Sequence, residues 1–144
     1  MNVFIHYGCN HFRKEKFNPI RNIPHSLCDL NKPAGGLWGS SVESCFSWKD
    51  WCLREEYCTE KLQDFFYFML ADNANLYTIN DLKDLLELPI LEDMYLDFEL
   101  ISTLYDALWL TDRGSILTHD ILVWDCSSII VMNPNSIIET NDEN

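Results

Sequence analysis

Three short segments hold the residues best suited to chemistry, at the start, the first third and the end of the chain: IHYG at 5–8, KPAGGLWGS at 32–40 and WDCSSIIVMNP at 124–134. Gathered at one place they would supply an imidazole, backbone groups beside glycines, an indole and hydroxyls. That set suits a nucleotide-binding cleft. A planar heterocycle stacked on an aromatic ring gains about 0.5–1.5 kcal/mol beyond the burial of its area. Backbone N–H and C=O groups beside a glycine can reach a ligand because no side chain intervenes.

Other chemistries are poorly served. The sequence has no GxSxG, HExxH or P-loop pattern, and its serines, cysteines and histidines show no spacing that implies a catalytic triad. Six cysteines stand at 9, 28, 45, 52, 58 and 126 without a CxxC pair, so they read as mostly buried thiols. Cys45, Cys52 and Cys58, with the loosely spaced His6, His11 and His25, are only a weak indication of a metal site.

The 144 residues fit one domain, 1–144, able to bury about 70% of the surface of its unfolded form. Apolar residues make up 47% and aromatics 13%, too many for a disordered chain. No apolar run approaches the roughly 18 residues of a membrane span. The first ten residues lack the charged and apolar regions of a secretory leader, which points to a reducing cytoplasm. The net charge of −13 is uneven: residues 1–72 hold 8 Lys and Arg against 9 Asp and Glu, and residues 73–144 hold 2 against 14. Such a field repels phosphates, so direct DNA binding is not expected and a basic or nucleic-acid-handling protein is the favoured macromolecular partner.

The elements that must position these residues follow from local pattern. Residues 2–7 form a β-prone run ended by Gly8. Residues 9–36 read as a long loop with a short helix around 19–23 and a basic cluster at Arg13, Lys14, Lys16 and Arg21. A second strand is expected over 36–40, and then a helix capped by Ser47 that carries WKDWCLREE. The stretch 59–70 fits a helix or a strand, with strand preferred at 64–70. Thr78 or Asn80 caps a short helix that Pro89 stops, and 97–105 form another. DALWLT, ILVWD, SSIIVMNP and SII read as extended runs, with a DRGS turn at 112–115. Residues 139–144 read as an acidic frayed tail. The class is α+β.

Tyr105-Asp106-Ala107-Leu108 and Val131-Met132-Asn133-Pro134 resemble the closing strands of ADP-ribosyltransferase-like domains. His6-Tyr7-Gly8 is similar to that family's first-strand histidine and glycine, with one residue between them. Gly36-Leu37-Trp38-Gly39-Ser40 is similar to its glycine-apolar-aromatic strand before a helix. The likeness covers about a quarter of the residues, and 55–96 contribute nothing to it. It implies split antiparallel β-sheets with flanking helices and NAD as substrate.

On that resemblance, His6 and Ser128 fall at the catalytic positions. His6 would bond a ribose hydroxyl, while the backbone at His6, Tyr7 and Gly8 would hold the nicotinamide amide. Trp38, with Trp48 and Trp51 behind it, would stack on the ring, and Ser40 or Ser47 would offer a hydroxyl. Arg13 and Arg21, with Lys14, Lys16 and Lys32, would meet the pyrophosphate. Ser128 takes the place of the family's glutamate, which argues against chain growth and leaves single transfer, hydrolysis or binding alone. Asp125, three positions away, would face the opposite side of a regular strand unless a bulge intervenes. Asp106 and Asp120 are more distant carboxylates.

Each residue also has a plainer account: His6 as a hydrogen-bonded strand-end histidine, Trp38 as core, Trp48 and Trp51 as the buried face of one helix. Two functions follow. One is an NAD-binding mono-ADP-ribosyltransferase-like protein that modifies a macromolecular acceptor, such as a defence protein. The alternative is a non-enzymatic acidic inhibitor that occupies a basic groove, a description that phage-encoded anti-defence proteins resemble.

Overall fold

The computed structural model describes residues 2–24 and 30–141; His25 and Cys28 lie outside them. The chain is a mixed α/β domain built on one seven-stranded sheet. Its strands are β1 (Phe4–Tyr7), β2 (Leu37–Ser41), β3 (Phe65–Leu70), β4 (Leu76–Ile79), β5 (Ala107–Leu110), β6 (Ser128–Val131) and β7 (Ile137–Thr140), in the order β4-β5-β6-β2-β1-β3-β7. The helices are α1 (Trp48–Glu55), α2 (Leu82–Leu86), α3 (Phe98–Leu104) and α4 (Asp112–Leu122). The row is divided at β2, whose Leu37–Gly39 pair with β6 on the β4-β5-β6 side and whose Ser40 and Ser41 pair with β1 on the β1-β3-β7 side. Every neighbouring pair is antiparallel except β4 and β5, which run parallel.

Two apolar clusters cover the two faces of the sheet. Leu85, Phe98, Ile101 and Leu122 bring α2, α3 and α4 onto Ile79, Leu108, Leu110 and Ile130. The other face carries Phe4, Phe66, Phe68, Ile129 and Val131. There Phe4 of β1 and Trp109 of β5 meet edge to face with ring centroids 5.4 Å apart, although two strands lie between them in the row. Strands are spaced by about 4.8 Å, so the sheet must curl around this second cluster.

Several elements differ from the sequence expectations for identifiable reasons. Residues 112–125 are not a turn and a strand. Thr111 caps α4, its Oγ accepting the Gly114 N–H at 3.0 Å. The buried positions of that helix are Gly114, Thr118 and Leu122, spaced by four residues but mostly small or polar, so hydrophobicity does not show the period. Residues 76–79 are a strand, and the cap of α2 is Asp81, in a reciprocal box with Asp84. The short helix expected around 19–23 does not form there: a single 3₁₀ turn lies at Lys14–Lys16, and Arg21 bridges to Ala34. Ser47 does cap α1, with Asp50 closing the box. After a 3₁₀ turn at Thr59–Gln63, residues 65–70 form the preferred strand. Glu139 and Thr140 are not tail: they belong to β7, opposite Phe68 and Tyr67. No helix among the described residues is long and apolar enough to cross a membrane.

Candidate functional site

The site begins where β1 and β2 part. Their register runs through Phe4 opposite Ser41 and Ile5 opposite Ser40. Beyond it, β1 stays with β3 through His6 and Tyr7, while Leu37–Gly39 of β2 stay with β6. A continued ladder would set His6 against Gly39 and Tyr7 against Trp38. Instead the imidazole of His6 spans the gap, its Nδ1–H donating to the Trp38 carbonyl at 2.6 Å. A carbonyl only accepts, so Nδ1 holds the proton and Nε2 presents a lone pair. Burial lowers the His6 pKa against the opposing effect of that hydrogen bond, and the ring is neutral near pH 7.

Beside the fork lies a pocket of about 290 Å³ lined by residues from all three segments. His6 and Tyr7 come from β1, Trp38 and Ser40 from β2, Trp48 from α1, Lys32 from the loop before β2, Trp124, Asp125 and Cys126 from the α4–β6 connection, and Ser128 from the start of β6. Its walls are aromatic. Trp38 meets Trp124 edge to face at 4.9 Å, and Trp48 stacks on Trp51 at 5.0 Å. The buried Ser40 Oγ accepts the Trp48 N–H at 3.1 Å, which ties the start of α1 to β2.

One ion pair crosses this apolar surround. Lys32 Nζ donates to Asp125 Oδ2 at 3.1 Å and lies 5.8 Å from the Trp38 ring centroid. Both side chains remain partly exposed, at 23% and 29%, so a ligand can reach them. Asn31 holds their loop. It is 3% exposed, its side chain accepts the Leu96 N–H and donates to the Met94 carbonyl, and its own carbonyl accepts the Trp124 indole N–H at 2.8 Å.

The structure brings together His6, Tyr7, Trp38, Ser40, Trp48 and Ser128 from the expected set. It places four others elsewhere. Gly8 donates its N–H to the Asp64 carbonyl at 2.8 Å and, with Arg13, lines an adjoining groove. Arg21 donates to the Ile20 carbonyl, and Ser47 is engaged with Asp50 at the helix cap.

Asp125 faces the same pocket as Ser128, contrary to the alternation argument. Val123 ends α4 in the left-handed region (φ 54°) and β6 starts only at Ser128. Residues 124–127 therefore precede the strand, and a period of two does not govern them. Among the described residues, Asp125 is the one carboxylate lining the pocket. Asp106 is pinned by Asn75 and Asn133 at the far end of β5, and Asp120 is exposed on α4. Ser128 donates to the Cys126 carbonyl at 3.1 Å. Burial pushes the Cys126 thiol up, so it is a neutral wall group and not a thiolate.

Trp124 and Cys126 were missed as lining residues, although they flank Asp125 in the third segment. Their signal was the aromatic-acidic pair Trp124-Asp125 directly after an apolar stretch. Comparison with protein families, curated proteins and solved structures finds no match to this chain.

Proposed function

We propose that this pocket takes the nicotinamide end of NAD and that the protein transfers a single ADP-ribose to a macromolecular acceptor, on an ADP-ribosyltransferase-like fold. The observation that carries the reading is the fork. Parting β1 from β2 joins a neutral histidine, an aromatic box and a Lys–Asp pair within one pocket of nicotinamide scale. Tyr7, Trp38 and Trp48 supply faces and edges for a planar ring. His6 Nε2 accepts a hydrogen bond from a ribose hydroxyl, a role open to it only while it is neutral.

Cleavage of the bond between nicotinamide and ribose sends the bonding electrons to the nicotinamide nitrogen and leaves positive charge on the sugar. Ser128 carries no charge to meet it. Asp125 does, from within the same pocket and in an ion pair with Lys32. The acceptor then adds to the sugar and loses its proton, for which Asp125 is the nearby base. Lys32 orients that carboxylate and offers a cation to the dinucleotide phosphates.

Titration calorimetry with NAD, with free nicotinamide followed in the same sample, tests the reading. Saturable binding lost in Trp38→Ala and nicotinamide release lost in Asp125→Asn are the expected results. Absence of binding at millimolar NAD overturns the assignment, and binding without release reduces it to a receptor.

A further inference from the structure

Seven of the thirteen large apolar side chains left exposed among the described residues fall between positions 82 and 104. Four of them come from two short helices used on one side only, and Ile90, Leu91 and Met94 come from the connection between them. In α2, Leu85 is buried while Leu82 and Leu86 face outward; in α3, Phe98 and Ile101 are buried while Leu100 and Leu104 face outward. Ile90, in the connection between the helices, is 50% exposed and Leu86 is 53% exposed. The connection is held to α3 by the Asp97 N–H, which donates to the Pro89 carbonyl at 3.0 Å, and by the bridge between Ile90 and Leu96.

The charge in this stretch is predominantly acidic. Residues 81–99 contain seven Asp and Glu against the single Lys83, and Glu87, Glu92, Asp93 and Glu99 are exposed. Scattered exposed leucines need no explanation. An apolar set of this size with exposed carboxylates interspersed along the same stretch is a different case, since it suits an interface with apolar anchors and a charged rim.

We propose that the α2–α3 face docks a protein bearing a basic amphipathic helix, whose apolar stripe covers Leu86, Ile90 and Leu100 while its Lys and Arg meet the surrounding carboxylates. Charge decides among occupants. A second copy of this chain would set acidic rim against acidic rim in a two-fold interface, and a nucleic acid or anionic membrane would be repelled. A basic helix answers both the leucines and the carboxylates. This surface is formed by α2, α3 and their connection, and it stands independently of the pocket at the β1–β2 fork.

The test is fluorescence anisotropy with a labelled amphipathic helix built from leucine and lysine, against a matched helix of leucine and glutamate. The lysine peptide binds and the glutamate peptide does not, and affinity falls as salt is raised. Leu86→Ser with Leu100→Ser leaves the charge unchanged yet weakens binding about tenfold or more. Ile138→Ser, which alters an exposed apolar residue of β7 at the opposite edge of the sheet, leaves it unchanged. Circular dichroism confirms that each variant is folded. The proposal is overturned if the serine pair binds as tightly as the parent, which would make the attraction purely electrostatic. Equal binding of the glutamate peptide overturns it too, as does self-association of the parent that the serine pair abolishes.

Discussion

The imidazole Nδ1 of His6 lies 2.6 Å from the carbonyl oxygen of Trp38, across a gap that β1 and β2 no longer close with backbone bonds. A side chain thus takes the place of a ladder rung. It also fixes the tautomer of the ring that faces the pocket.

Burial lowers the His6 pKa in the folded chain, the Trp38 hydrogen bond only partly offsetting it. The unfolded chain therefore takes up this proton more readily. The stability tied to neutral His6 is fully present above its ordinary value of 6.5 and is lost as pH falls through the lower folded value. Chemical denaturation between pH 7.5 and 5 should show a steeper loss for the parent than for His6→Gln. Parallel curves would contradict the neutral, buried assignment.

Lys32→Ala separates function from stability. The Lys32–Asp125 pair is partly solvated, so its removal should change unfolding free energy by less than about 1 kcal/mol. Under the NAD reading, dinucleotide affinity should nevertheless fall about tenfold, because a cation near the phosphates is lost. Calorimetry and thermal melts on the same preparation measure both. Unchanged NAD affinity would remove Lys32 from the site.

Asp112 organises the loop after β2. Its carboxylate accepts the Cys45 N–H at 2.8 Å and the hydroxyls of Ser127 and Ser44 at 2.6 and 2.7 Å. Burial acts to raise its pKa, but the Cys45, Ser127 and Ser44 hydrogen bonds together hold it below the usual 3.8. That stabilisation is present above the unfolded value and lost as pH drops through the folded one. Asp112→Ala should cost about 1–3 kcal/mol at pH 7, read from urea unfolding, with the penalty shrinking as pH falls through the lowered folded value.

Gly114→Ala is expected to be severe. A Cβ there would lie 2.1 Å from the Ile79 carbonyl oxygen, a backbone atom that cannot swing aside. The helix must move off β4, at a cost of about 2 kcal/mol or more. A melting temperature equal to the parent's would contradict the close packing of α4 on β4.

Where hydrophobic pattern and chain punctuation agreed, sequence and structure coincide. The first strand, the Ser47 cap and the β3 strand are examples, and the three segments do converge on one pocket. Legibility failed where packing is carried by residues without hydrophobic signal. The buried positions of α4 are Gly114, Thr118 and Leu122, so the turn-forming DRGS at 112–115 and the apolar run ILVWD at 121–125 suggested a turn and a strand instead. The position of Asp125 failed for a related reason. Alternation was applied to a residue before the strand begins, and only the left-handed turn at Val123 shows where the helix stops. Tertiary reach also escaped the sequence: nothing local indicates that Asn31 secures the loop carrying Lys32.

Gly39 is the last residue of β2 paired with β6, and Ser40 the first paired with β1. The strand thus changes partners between these two positions and serves as the seam along which two parts of the sheet are sewn. A side chain at 39 would press into the ring of Phe68, 2.9 Å from its would-be Cβ. The seam is consequently backed by an aromatic ring on one face and open to the pocket on the other, so the position where the strand changes partners is also where the site is entered.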